Sequence, residues 1–568
     1  MADTAMAVQR PKRWDVPFGP EMTDADVRRV LDMEPFSAIN ASSFPPSTPL
    51  HDIILNDCRI ERYNPGDIIV REGDYGNSLF FIMQGDVRVA LDKLPEEVLG
   101  RKKSQKKGVF QAVAQLWTNH RGVEQRDLSG YDTKALAARR GTGTDTRVFL
   151  QDVPRILEGS QTVCISAGEF FGELAALSRI PRSATLFADT ECELLELRWQ
   201  GFRDLRRRAT ELREHVDRLY RERSLSSHLR STPIFSHLTE EQLANVAEQT
   251  VFETYGEFDW YASYKKIAEA DPARRLAHEP IIAQEGNYPN GVILIRAGFA
   301  RQSCRFGNGE RTMSYLGRGH VFGFDEIVDS ANIEQSVPLR STLRAVGYVD
   351  VLRIPTVTVE QFVLSVAQRH RAHQKPDQVS IDHSVQSQTE IDTGLLEFIV
   401  ENRFMNGTAA MLIDLDRCTR CDDCVRACAD THDNNPRFVR HGPTFDHYMV
   451  ANACMHCADP VCMIGCPTGA IHRDPQGGQV VINDLTCIGC STCANSCPYN
   501  NIRMVEITDN KGRVVLEEST NLPIAKATKC DLCSDQLGGP ACQRACPHDA
   551  LVRIDMTDHE ALAKWVNR

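Results

Sequence analysis

The chain has 568 residues, 42% hydrophobic and 25% charged, with a formal net charge of −12 and a mean hydropathy of −0.33. That length exceeds what one hydrophobic core fills, so about three folding units are expected. The acidic balance argues against nucleic acid as a partner, and no apolar run approaches the roughly 18 residues of a membrane span.

The amino terminus, MADTAMAVQRPKRWDVPFGP, has neither an apolar export core nor a twin-arginine pair. A cytoplasmic chain is therefore expected. Residues 1–50 read as a helical or irregular segment. From Asn64 to Val89, NPGDIIVREGDYGNSLFFIMQGDVRV alternates short apolar strands with glycine turns, the pattern of a small β-roll or jelly roll. FGELAALSRIPRSAT, from Phe171 to Thr185, predicts a strand end, a short helix and a new strand. Glycine lets backbone approach a ligand, a helix amino terminus offers amides to an anion, and arginine presents a planar fork to phosphate.

This stretch resembles the phosphate-binding cassette of cyclic nucleotide-binding domains, as in bacterial catabolite activator proteins and kinase regulatory subunits. The likeness runs over about Leu55–Leu219, and the unit is bounded at 51–228. It implies that Glu173 accepts the ribose 2′-hydroxyl and Arg182 pairs with the cyclic phosphate. Gly172 and the backbone near Leu174, Ala175, Ser183 and Ala184 would complete the cradle. The implied ligand is cyclic AMP or cyclic GMP, since the hydroxyl of Ser183 suits either. An insertion at about 94–160, with basic runs RKKSQKK and ARRGT, is assigned no role.

Residues 229–370 repeat the pattern. STPIFSHLTEEQLANVAEQT predicts an entry helix, and EPIIAQEGNYPNGVILIRAG echoes the glycine-punctuated strands. The cassette position holds GHVFGFDEI and PLRSTLRAVGYVDVLRI. Leu339 falls where Arg182 stands, Arg340 comes one residue late, and Phe324 falls on the glutamate. A one-residue slip sends a side chain to the other face of a strand. This second cyclic nucleotide-binding unit is thus expected to bind nucleotide poorly or not at all and to serve as an interface or relay, with Asp325, Glu326 and Arg340 keeping the alternative open.

A polar linker, 371–394, leads to a short helix, LLEFIVENRF, and to the third unit, 395–568. Of twenty cysteines, Cys58, Cys164, Cys192 and Cys304 are isolated, and three of them sit in apolar or alternating stretches where a free buried thiol reads as a small hydrophobe. The other sixteen form four groups: Cys418, Cys421, Cys424, Cys428; Cys454, Cys457, Cys462, Cys466; Cys487, Cys490, Cys493, Cys497; and Cys530, Cys533, Cys542, Cys546. A reducing compartment argues against disulfides, and tetrahedral zinc has no use for CxxCxxC. That spacing wraps three corners of an iron-sulfur cubane and sends the fourth cysteine to a second cluster. Pro467, Pro498 and Pro547 follow three of the groups, while Ala429 follows the first.

The region from about Ala409 to Asp555 resembles the four-cluster ferredoxin-like subunits that serve molybdopterin oxidoreductases and some hydrogenases. The resemblance implies four 4Fe-4S clusters with exchanged fourth ligands. These are Cys418, Cys421, Cys424 with Cys546; Cys530, Cys533, Cys542 with Cys428; Cys454, Cys457, Cys462 with Cys497; and Cys487, Cys490, Cys493 with Cys466. A cubane ligated throughout by protein moves electrons and binds no substrate. No catalytic motif appears, and His456 and His548 read as hydrogen-bonded neighbours of the thiols.

The fold class expected is a multidomain α+β chain: two cyclic-nucleotide-binding β-rolls followed by a double ferredoxin-like iron-sulfur domain. The expected function is cytoplasmic electron transfer regulated by cyclic nucleotide, with a donor or acceptor oxidoreductase subunit as partner. Homo-oligomerisation stays open. The competing readings are a redox- and nucleotide-responsive regulatory sensor, and a scaffold in which clusters act as staples.

Overall fold

In the computed structural model the described residues are 7–8, 13–14, 17–90, 94, 162–173, 176, 181–256, 260, 261, 264, 272–307, 309–364 and 391–568 except 476, 510 and 537. Most of the basic insertion and of the polar linker lies outside them, as do Leu174 and Ala175.

Helix α1 (Asp24–Leu31) starts where the Thr23 side chain accepts from the Asp26 N–H in a capping box, and its apolar spacing buries Val27 and Val30. Helix α2 (Leu50–Asp57) turns its Ile53 and Ile54 to the same core. Eight short strands follow: β1 (Cys58–Tyr63), β2 (Ile68–Val70), β3 (Ser78–Gln84), β4 (Asp86–Ala90), β5 (Thr162–Ser166), β6 (Phe170–Phe171), β7 (Thr185–Ala188) and β8 (Cys192–Arg198). They form two antiparallel four-stranded sheets, ordered β1-β8-β3-β6 and β2-β7-β4-β5. Residues Val27, Val30 and Phe36 share one core with Leu79, Phe81 and Phe202, so the segment before residue 51 closes the roll instead of standing apart from it. Phe36 meets Phe81 edge-on at 5.2 Å, a favourable aromatic geometry.

Helices α3 (Trp199–Arg208) and α4 (Thr210–Ser231) lead to α5 (Glu240–Gln249), capped by Thr239. The second β-unit comprises β9 (Val251–Tyr255), β10 (Ile281–Ala283), β11 (Gly291–Phe306), β12 (Gly309–Leu316), β13 (Val321–Phe322) and β14 (Thr342–Pro355), with α6 (Phe324–Ile333) before β14. The sheet runs β9-β14-β11-β12, with β10 on β14 and β13 on β11. Register shifts at Ile295/Ala297 and Gly298/Ala300 interrupt the long β11–β14 ladder and bend the sheet around its core.

The third unit opens with α7 (Thr393–Glu401), whose N-cap Asp392 accepts from the Gly394 and Leu395 N–H groups. Ile391, within the expected linker, is buried in the core of this unit. Strand β15 (Ala410–Asp414) lies between β16 (Tyr448–Val450) and β21 (Leu551–Ile554). Two further ladders pair β17 (Ile471–Arg473) with β18 (Val480–Ile482) and β19 (Arg503–Glu506) with β20 (Ala525–Thr528). Cysteines supply much of its packing, and Cys424, Cys428, Cys466, Cys487, Cys493 and Cys497 are core residues.

Both β-units rest on the third. Arg203 Nη1 of α3 donates to Ile464 O at 2.6 Å, and Trp260 Nε1 donates to Asp459 Oδ2 at 3.1 Å. Arg301 is buried between Glu279 and Glu397 of α7, and the Tyr315 hydroxyl donates to Met556 O. Among the described residues, no helix is long and apolar enough to cross a membrane.

Candidate functional site

In the first β-unit the chain leaves β6 through Gly172, whose φ of +85° is the left-handed region that favours glycine. Glu173 follows at 2% exposure, and Arg182 sits at 7%. Arg182 Nη1 donates to Gly172 O and Nη2 to Ser78 O, both at 2.9 Å. Its guanidinium also lies over the Phe80 ring, 5.6 Å from the centroid. Burial lowers its pKa to about 10, against the opposing pull of Glu196, Glu173 and Asp74, so it stays cationic at neutral pH. Ser183 is exposed and Ala184 half-buried beside it. The structure therefore brings Gly172, Glu173, Arg182, Ser183 and Ala184 together, and leaves Leu174 and Ala175 outside the described residues.

A Cβ at Gly172 would lie 2.5 Å from Arg182 Nη1, and one at Gly76 2.4 Å from Nη2. Gly172→Ala is expected to cost about 1–3 kcal/mol of stability from backbone strain and displacement of the arginine. A thermal melt with a fluorescent-nucleotide titration checks both the stability loss and the weaker binding.

The second β-unit keeps the frame and replaces the charge. The Gly73 N–H donates to Arg182 O and the Arg182 N–H to Asp74 O, each at 2.8 Å; the Gly286 N–H donates to Leu339 O at 2.9 Å and the Leu339 N–H to Asn287 O at 2.8 Å. Thr185 and Thr342 each accept, at 3.0 Å, from the residue preceding those glycines. Leu339 thus stands at the place of Arg182, and Phe324, after Gly323 (φ +81°), at the place of Glu173. Arg340 turns outward to Asp329, while Glu326 accepts from the Arg340 N–H at 3.2 Å.

The thiols meet across groups. One small cavity is lined by Cys418, Cys421, Cys424 and Cys546, with Arg420, Arg440 and His548 at its wall. A second is lined by Cys466, Cys487, Cys490 and Cys493. Burial pushes the Cys428 thiol up, and Cys530, Cys542 and Cys533 push it further. Burial does the same at Cys457 and Cys462, reinforced by Cys454 and Cys497. Cys424 is pushed up to about 11, and Cys493 and Cys533 to about 12. Buried thiols of this kind ionise only against a metal's positive charge.

Backbone donors already point at the sulfurs. The Arg437 N–H reaches Cys428 Sγ at 3.2 Å, Ala550 N–H reaches Cys546 Sγ at 3.3 Å, and Leu532 N–H reaches Cys530 Sγ at 3.4 Å. A sulfur-only donor set, grouped by fours and met by amides, fits iron-sulfur clusters. Cys421 and Cys490 are exposed; the other fourteen are buried or half-buried.

Sequence reasoning missed the cations behind the thiols. Arg553 Nη2 donates to Cys530 Sγ at 3.0 Å, and its Nη1 donates to Ala409 O at 3.0 Å and Cys454 O at 3.1 Å. Lys526 Nζ donates to Cys487 O at 2.5 Å and Lys529 Nζ to Cys530 O at 2.8 Å, both lysines being buried. A charged residue within the otherwise apolar LVRI of β21 was the available signal. His432 Nε2 lies 3.5 Å from Cys533 Sγ. His456 is buried with Nδ1 accepting from the Val480 N–H; burial, then Lys529, Arg553 and Arg473, hold its pKa far down, so it stays neutral.

Of the isolated cysteines, Cys58 and Cys192 are buried as small hydrophobes, Cys304 is intermediate, and Cys164 is exposed. The outward position of Cys164 on β5 departs from the buried reading, because that strand turns only part of its length inward.

Thiol quartets on a ferredoxin-like scaffold, joined to a β-roll with a buried glutamate and arginine, define an iron-sulfur electron-transfer protein with a cyclic nucleotide-binding domain. The 4Fe-4S dicluster domain family matches residues 445–556, and the cyclic nucleotide-binding domain family matches residues 156–209. Electron transport protein HydN of Escherichia coli (strain K12) is 34% identical over 174 residues, 28% of this chain and 93% of that protein. The B subunit of anaerobic dimethyl sulfoxide reductase from the same organism is 32% identical over 160 residues, 24% of this chain and 69% of that subunit. Through its C-terminal unit the chain belongs to the family of ferredoxin-like 4Fe-4S electron-transport proteins. The solved regulatory domain of Toxoplasma gondii PKA with cAMP covers 61% of this chain and 95% of its own, at 15% identity and a TM-score of 0.21.

Proposed function

We propose that the protein is a cytoplasmic electron-transfer subunit carrying four 4Fe-4S clusters, whose conduction is regulated by cyclic AMP or cyclic GMP bound at Glu173 and Arg182. A bound cubane supplies one-electron transfer and nothing else. The single observation that carries the reading is the crossing of the fourth thiols, which puts Cys546 with Cys418 and Cys466 with Cys487.

The contacts between groups support a linear order. Cys424 neighbours Cys542, Arg553 ties Cys530 Sγ to Cys454 O, and Cys462 neighbours Cys493. The exposed thiols Cys421 and Cys490 belong to the first and last groups of that order, so donor and acceptor oxidoreductases would approach there. The Cys454–Cys457–Cys462–Cys497 group lies beside the β-units, near the Arg203–Ile464 and Trp260–Asp459 contacts, where a nucleotide-driven change can reach it. The second β-unit repeats the frame of the first, with Leu339 and Phe324 in place of the binding pair, and serves as an interface or relay.

Stopped-flow reduction by a viologen, with and without cyclic AMP or cyclic GMP, tests this. A nucleotide-dependent rate in the wild type that is lost in Arg182→Leu is the expected result. Clusters that reduce at one rate under all conditions would remove the regulation.

A further inference from the structure

The loop from Arg71 to Gly76 touches both halves of the molecule at once. On one side it is fixed to Arg182: the Gly73 N–H donates to Arg182 O and the Arg182 N–H to Asp74 O. Tyr75 also bridges Pro181, and Gly76 packs on the guanidinium. On the other side, the Tyr75 N–H donates to Pro475 O at 2.9 Å in the third unit. The Tyr75 ring receives the Arg473 guanidinium at 4.9 Å and closes over Gly478, where a Cβ would lie 2.5 Å from it.

Arg473 is itself buried and committed. Nη2 donates to Cys457 O at 2.6 Å and to Ala458 O at 2.8 Å, and Nη1 to Gly478 O at 2.7 Å. Two side chains, Tyr75 and Arg473, therefore separate the phosphate arginine from the backbone beside Cys457. Cys457 and its neighbours Cys454, Cys462 and Cys497 form an inner quartet. The second β-unit offers an internal comparison. Its frame places Tyr288 where Tyr75 stands, after Gly286 and Asn287, and Tyr288 is 65% exposed. The same side chain at the same turn is free of this use in one unit and seated on Arg473 in the other.

We propose that Tyr75 and Arg473 form the joint through which the occupant of the first pocket acts on the Cys454–Cys457–Cys462–Cys497 quartet. The proposal rests on the nucleotide reading above and assigns its route. A cyclic phosphate paired with Arg182 competes with Gly172 O and Ser78 O for Nη1 and Nη2. Arg182 is held through its own backbone to Asp74, so its adjustment resets Tyr75. Tyr75 in turn resets the donors that Arg473 gives to Cys457 O and Ala458 O. Dipoles at that distance alter how well added electron density is stabilised on a cluster held there.

Binding linkage is reciprocal, with typical coupling factors of about 5- to 150-fold, so reduction must change nucleotide affinity by the same factor. The experiment is anaerobic calorimetry of cyclic AMP and of cyclic GMP on the full-length, cluster-loaded protein, before and after dithionite reduction. Wild type is expected to show a change in Kd on the order of tenfold, equivalent to about 59 mV for a one-electron couple. Tyr75→Ala is expected to bind nucleotide with equal Kd in both states, and Tyr75→Phe to keep the difference. If Tyr75→Ala loads poorly, Tyr75→Leu removes the π face while keeping bulk. A difference that survives in Tyr75→Ala or Tyr75→Leu overturns the joint alone, as does a wild type with equal Kd in both states. A wild type that binds neither nucleotide overturns the pocket assignment, and the joint with it.

Discussion

Arg182→Leu is expected to weaken cyclic nucleotide binding by about 100-fold or more, measured by fluorescent-nucleotide titration. Removing one partner of a buried, hydrogen-bonded charge pair costs about 2–5 kcal/mol, and each tenfold in affinity is about 1.4 kcal/mol. The guanidinium is already ordered by Gly172 O and Ser78 O and by the Phe80 ring beneath it, so binding redirects a fixed side chain instead of ordering a free one. Arg182→Lys keeps the charge without the planar fork, and a loss of about tenfold is expected there. The molecule already contains the comparison: the second β-unit holds Leu339 in the same backbone frame. Arg182→Leu should therefore fold, with only a modest loss of thermal stability, since Gly172 O keeps the Ala176 N–H while Ser78 O loses its arginine donor.

Cys466→Ser is expected to remove the same paramagnetic signal as Cys490→Ser, and a different one from Cys457→Ser, although Cys466 lies in sequence with Cys457. Iron content should fall from about sixteen atoms per chain toward about twelve in each variant. The expectation follows from the cavity that Cys466 shares with Cys487, Cys490 and Cys493, and from the closeness of Cys497 to Cys457 and Cys462. Electron paramagnetic resonance of the dithionite-reduced variants, with iron analysis, reads it directly. Matching losses in Cys466→Ser and Cys457→Ser would refute the crossing.

The thiol groups and the cassette were legible because their chemistry is written in short spacings: CxxCxxC wraps a cubane, and a strand–glycine–helix turn with one arginine makes an anion cradle. Leu339 was legible at the place of Arg182 by counting back from the strand that follows, although the structure sets both residues just before β7 and β14 and not on them. What sequence could not show lies at long separation. Arg553 reaches Cys530 and Cys454 only because β21 lies beside β15. Tyr75 and Arg473 are neighbours only because the first β-unit is seated on the β17–β18 ladder. The N-terminal segment read as helical or irregular because its apolar residues are few and scattered; Val27 and Val30 of its helix, with Phe36, complete the first core.

The most direct test of regulated electron transfer is an anaerobic redox titration followed by electron paramagnetic resonance, on the full-length protein with and without cyclic nucleotide. Reversible reduction of several interacting 4Fe-4S clusters is predicted. At least one midpoint should be shifted by cyclic AMP or cyclic GMP, and none shifted in Arg182→Leu. Clusters that titrate identically with and without nucleotide would contradict control by the β-roll, and zinc in place of iron would contradict the electron-transfer chain itself.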